Sequence, residues 1–88
     1  MRMLKFLLKP GMNTLKCDTD KVLVLRYLND QDGKIMGWFE EHTVLHSEAF
    51  EYEVYLAVTG ETVPSDYDYV CSHQVSAGGG WLVVHAYD

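Results

Sequence analysis

The sequence predicts an all-β fold: a small antiparallel sandwich or partly open barrel of about six short strands, with at most one helical turn. Three observations predict it. Apolar and polar residues alternate with a period of two through residues 50–58, the signature of a half-buried strand. Turn-forming clusters recur roughly every 8–12 residues, as they do in sandwiches and barrels. One stretch, 43–49, could hold a helical turn, and it is too short to be a stable helix alone. The 88 residues, 48% of them hydrophobic, make a single folded domain with a small core.

Residues 4–8 form the first strand. Lys9, Pro10 and Gly11 end it, because proline fixes φ and glycine permits positive φ. Residues 14–17 pair briefly before Asp18, Thr19 and Asp20. Residues 22–28 (VLVLRYL) are apolar on both faces, which suits a central strand. Residues 29–33 are the clearest turn, with Asp32 and Gly33 suited to left-handed geometry. The chain returns through 35–41, so 22–41 is a hairpin. In 50–58, Phe50, Tyr52, Val54, Leu56 and Val58 alternate with Glu51, Glu53, Tyr55, Ala57 and Thr59. Residues 69–75 and 81–87 form a second hairpin round Ala77, Gly78, Gly79 and Gly80. Sequential hairpins predict a meander-like antiparallel sheet curling on itself.

The net charge of −6 is unevenly spread. All seven basic residues lie in the first 34 positions, which hold four acids; the remaining 54 positions hold nine acids and no Lys or Arg. That balance disfavours direct binding to nucleic acid or anionic lipid through the acidic part, and favours a partner with a basic surface. Cys17 and Cys71 belong to no CxxC pair and read as packing residues with reduced thiols. No secretory signal or membrane-length apolar run is visible, so the expected location is cytoplasmic.

Catalytic signals are weak. No serine sits in a GxSxG elbow, and Glu51 and Glu53 read as a solvated strand face rather than an acid/base pair. His42 and His46 have metal-ligand spacing only on a helix, and His73 and His85 fall on the two strands of the last hairpin. No enzyme activity, metal or cofactor is expected. Trp38 and Trp81 read as core residues.

Tyrosines recur beside acids, most plainly at Asp66, Tyr67, Asp68 and Tyr69. Tyrosine gives large contact area at low entropic cost. A face of Glu51, Glu53, Tyr55, Asp66, Tyr67 and Asp68 would pair negative charge with planar rings, the chemistry that a nucleic-acid channel accepts. An alternative ligand pocket would use Trp38, Thr59, Gly60, Gly79, Gly80, Trp81 and His85. The lack of basic residues in those loops disfavours a strongly anionic ligand there.

The closing segment, Gly79-Gly80-Trp81-Leu82-Val83-Val84-His85-Ala86-Tyr87-Asp88, with Lys5-Phe6-Leu7-Leu8 near the start and a valine-rich strand running on to Trp38, resembles a family of small bacteriophage and prophage proteins of unknown function. The family pattern is GG-x-LV-x-H-x-[FY]-[ED], and its middle is usually more basic than this acid-rich chain. The resemblance implies an all-β fold and a phage origin, and supplies no catalytic residues. Size, acidity and phage resemblance together lead to the expectation of a stoichiometric anti-defence or host-takeover inhibitor. It would dock on a basic nucleic-acid-handling host protein such as a CRISPR effector or nuclease. The alternatives are a small-molecule binder that sequesters a nucleotide-like defence signal, and a homo-oligomeric assembly protein or homodimer.

Overall fold

The computed structural model describes residues 1–45, 50–77 and 79–88, with backbone only at Phe50 and Ala77. Seven strands run in order: β1 Arg2–Leu8, β2 Gly11–Cys17, β3 Lys21–Gln31, β4 Lys34–Thr43, β5 Phe50–Val58, β6 Tyr69–Ala77 and β7 Gly80–Tyr87. The fold is all-β. A three-stranded sheet has order β1-β4-β3 and a four-stranded sheet has order β2-β5-β7-β6. All pairings are antiparallel. The two sheets pack as an open sandwich measuring 47 × 28 × 15 Å. Its radius of gyration, 13.8 Å, exceeds the ~12 Å of a compact chain of this length, so the molecule is elongated.

The core fills the space between the sheets. Leu8, Leu23, Leu25, Leu28 and Phe39 come from the smaller sheet; Cys17, Val54, Leu56, Val75, Val84 and Ala86 come from the larger. Phe39, fully buried, meets Phe6 edge-on at 5.4 Å and Tyr52 of the opposite sheet edge-on at 5.8 Å. Such edge-to-face pairs add about 0.5–1.5 kcal/mol beyond burial. Gly37 is the neighbour that makes room: a Cβ there would lie 2.7 Å from Leu8 Cδ1 and 2.8 Å from Phe39 Cε1.

Both expected hairpins form, and the alternation of residues 50–58 is that of β5. The meander does not form. Only β3–β4 and β6–β7 pair with their sequence neighbours; β1 pairs with β4 and β2 with β5, so the chain switches sheets three times. Residues 22–28 lie on an edge strand rather than a central one. Their two-faced apolarity comes from a β-bulge between Leu25 and Tyr27, which shifts the inward positions from Leu23 and Leu25 to Leu28. The turn expected over 29–33 shrinks to two residues. Asp32 and Gly33 both have positive φ (51° and 77°), as a type I′ turn requires, while Asn29, Asp30 and Gln31 extend β3. Thr43 belongs to β4; positions 46–49 of the expected helical turn lie outside the described residues.

Asn13 holds the corner where the chain crosses between sheets. It is the buried polar side chain among the described residues. Its Oδ1 accepts from Lys9 N–H at 2.9 Å, and its Nδ2 reaches Lys9 O at 2.8 Å, Gly11 O at 3.2 Å and Val54 O at 3.3 Å. The two sheets are tied again at β3 and β6, where His73 Nε2 lies 2.6 Å from Asp30 Oδ1. A third tie is the Tyr52 hydroxyl, which accepts from Leu25 N–H at 3.4 Å and donates to the Asp88 carboxylate. Burial, then Asp88, pushes the Tyr52 hydroxyl well above the usual tyrosine range.

Candidate functional site

The outer face of the larger sheet follows from strand alternation. On β5, Val54 and Leu56 point into the core, so Glu51, Glu53 and Tyr55 point out. On β7, Val84 and Ala86 point in, so Trp81, Val83, His85 and Tyr87 point out. β5 and β6 run parallel with β7 between them, so residues 59–68 must cross from one end of the sheet to the other. Toward the end of that crossing Tyr67 lies against Tyr55 with ring centres 6.2 Å apart. Asp68 and Asp88 then exchange two backbone hydrogen bonds of 2.8 and 2.9 Å, which fixes the end of the connection.

This crossing brings Tyr67 and Asp66 to Glu53 and Tyr55. The Tyr67 hydroxyl donates to the Glu53 carboxylate and lies 3.6 Å from Met12 Sδ. Its pKa is pushed up to about 12 by that hydrogen bond first, then by desolvation and the charges of Glu53 and Asp66. Tyr55 stands opposite Tyr87 in register, and Tyr87 meets Tyr69 at 5.8 Å. Four tyrosines thus form a row across the sheet: Tyr67, Tyr55, Tyr87 and Tyr69. Glu51 and Glu53 point out on β5 beside it, and Asp66 is exposed near Tyr67. Asp68 does not join them: it pairs with Asp88 one residue from the outward Tyr69–Tyr87 pair, so both aspartates project to the other side of the sheet, where the Asp88 carboxylate takes the Tyr52 hydroxyl.

Charge pairing separates the two sheets. On the smaller sheet Glu41 pairs with Arg2 at 2.6 Å, and Glu40 pairs with Arg26 and His42, each at 2.9 Å. The Arg26 guanidinium, then His42, holds Glu40 down at about 2. On the larger sheet, among the described residues, no basic side chain forms an ion pair with Glu51, Glu53, Asp66 or Asp68. β5, β6 and β7 contain no Lys or Arg, and β2 contributes Lys16 alone. The charge asymmetry of the sequence is therefore an asymmetry between faces.

The alternative pocket residues do not converge in one cavity. Thr59, Gly60 and His85 come together: Thr59 Oγ1 lies 2.8 Å from His85 Nε2, and Gly60 (φ 95°) turns the chain beside it. Gly79, Gly80 and Trp81 sit at the β6–β7 turn, farther along the same sheet. Trp38 is on the outer face of the other sheet, stacked on Tyr27 at 5.7 Å, with Lys5 Nζ 5.5 Å from its ring and Nε1 donating to Asn29 Oδ1 at 3.0 Å. Neither tryptophan is a core residue, and Trp81 is 71% exposed.

Sequence reasoning missed a polar chain on this face. Tyr69 Oη lies 2.7 Å from Ser72 Oγ, and Ser72 Oγ lies 2.6 Å from His85 Nδ1. The imidazole is thereby held between two hydroxyls, Ser72 and Thr59. The odd positions of β7 were the available signal. Tyr52 points inward with Val54 and Leu56, as the alternation of β5 requires. Cys17 and Cys71 carry free thiols, and burial pushes both up in pKa, away from nucleophilic use. Among the described residues no three His, Cys, Asp or Glu side chains gather as a metal site; His46 lies outside them. No described helix is long and apolar enough to cross a membrane. No family model, curated protein or solved structure matches the chain.

Proposed function

We propose that this chain is a phage-type protein that acts by stoichiometric binding rather than catalysis, docking its acidic tyrosine face on the basic surface of a nucleic-acid-handling protein. The observation that carries this reading is the convergence of Glu53, Tyr55, Asp66 and Tyr67 on one face, with no intramolecular cation pairing these acids among the described residues. Unpaired rim carboxylates steer association toward a positive surface. Ordered tyrosines in their midst provide contact area of the kind that lengthens the life of a complex. The acids of the other sheet are already neutralised by Arg2 and Arg26, so docking through that face would gain less. The closing motif's resemblance to small phage proteins supports a host-takeover or anti-defence role inside the host cell, against a target such as a CRISPR effector or nuclease.

The test is affinity capture of tagged protein from bacterial lysate at about 50 and 300 mM salt, conditions between which screening of exposed charges rises steeply. The wild type is run beside Glu53→Lys/Asp66→Lys. Retention of a basic nucleic-acid-binding protein at low salt, its loss at higher salt and its loss in the variant support the reading. A captured partner bound equally by wild type and variant refutes the acidic face as the docking surface.

A further inference from the structure

One end of the sandwich is open. There the β1–β2 corner, the β3–β4 turn, the end of β5 and the β6–β7 hairpin surround a cleft of about 530 Å³. That volume lies within the roughly 300–1,000 Å³ typical of small-molecule sites. Its wall is apolar, built by Leu8, Ile35, Leu56, Val58, Leu82 and Val84. Its charged lining residues are Lys9 and Lys34, both exposed. Asp32 stands in the β3–β4 turn two residues before Lys34, and Glu61 accepts a hydrogen bond from Val58 N–H; neither lines the cleft.

We infer that this cleft binds a free single-chain carboxylate: an alkyl tail with one anionic head, of the fatty-acid type. The apolar wall selects the tail through the hydrophobic effect. The two lysines select the sign of the head. A nucleotide fits poorly, because its base edges would be buried against Leu56, Val58 and Val84 without hydrogen-bond partners. The acidic face does not repel the head strongly. From Glu53 to Val58 the chain advances five residues along β5, ~17 Å of strand and about two Debye lengths at physiological salt. The site is thus separate from the proposed docking face and independent of it.

The experiment displaces a fluorescent dansyl-labelled fatty acid from the full chain with dodecanoate below its micelle concentration, with dodecanol and dodecyltrimethylammonium as comparisons. Dodecanoate is expected to bind best and to raise the melting temperature. Lys9→Glu/Lys34→Glu, both at exposed positions, is expected to weaken dodecanoate roughly 3–30-fold, as reversal of two exposed charges should, and to leave dodecanol unchanged. Val58→Trp, which fills the cleft, is expected to block both. Failure of dodecanoate to displace the probe overturns the inference. So does equal binding of all three amphiphiles with no effect of the lysine variant. A concentration-dependent dimer that excludes the probe and is lost in Val58→Trp would assign the cleft to a second copy of the chain instead.

Discussion

Replacing Asn13 by alanine tests whether one side chain holds the junction between the sheets. The side chain accepts one hydrogen bond from Lys9 N–H and shares its two amide hydrogens among the carbonyls of Lys9, Gly11 and Val54. The two shortest bonds, both to Lys9, are worth about 1 kcal/mol each net of solvent competition. Loosened contact with Val54, a fully buried residue, adds up to about 1 kcal/mol. The expected loss is about 2–3 kcal/mol, a large share of the ~4–13 kcal/mol typical of a domain this size. It corresponds to a fall of about 10–20 °C in Tm. Urea and thermal denaturation would read it, with an unchanged m-value showing that the native fold persists. Asn13→Asp keeps the acceptor for Lys9 N–H but sets a carboxylate against three carbonyls, so it should be at least as damaging. A loss below about 0.5 kcal/mol for Asn13→Ala, the lower end for a single hydrogen bond, would refute the account.

Gly37→Ala should cost about 1–3 kcal/mol by overpacking, because the new methyl meets Leu8 and the immobile ring of Phe39; chemical denaturation measures it. The Tyr67 hydroxyl should titrate near 12, above its ordinary 10.0, and Glu53→Gln should bring it down, as read by NMR of ring-labelled tyrosine. Because its folded pKa is raised, its contribution to stability is fully present below about pH 10 and disappears as pH rises through about 12. Glu40 has the opposite sign. Its folded pKa of about 2 lies below the ordinary 4.5, so its contribution is present above about pH 4.5 and is lost as pH falls through about 2. Arg26→Gln should raise that carboxylate toward its ordinary value in a carbon-detected titration.

The legible parts of this fold are those in which the information is local. The alternation from Glu51 to Val58 sets which residues of β5 point outward, and the Asp32-Gly33 pair marks a hairpin because few residues accept two successive positive φ values. The acids and tyrosines of the candidate face could be named from composition and spacing. Their convergence could not, since it depends on residues 59–68 returning over the sheet to set Tyr67 on Tyr55. The edge position of β3 was hidden by the bulge at Arg26, which puts apolar residues on both apparent faces. Trp38 looked like core because its ring is large and apolar. Its neighbour Phe39 takes that place, and Trp38 finds Tyr27, Lys5 and Asn29 outside. Asn13 carried no sequence signal at all, because its role is set by a corner between distant strands.

The interleaved strand order also governs how quickly this chain can fold. Leu8 pairs with Ile35 and Arg2 with Glu41, while Cys17 pairs with Phe50. Each of these partnerships closes a loop of about thirty residues or more before its contacts offset the entropy of closure. Proteins dominated by such distant pairings refold in roughly milliseconds to seconds rather than microseconds. The two hairpins, with their short turns, can form early. The first two strands wait with unpaired edges until β4 and β5 reach them, and during that interval they are the segments most exposed to pairing with another chain.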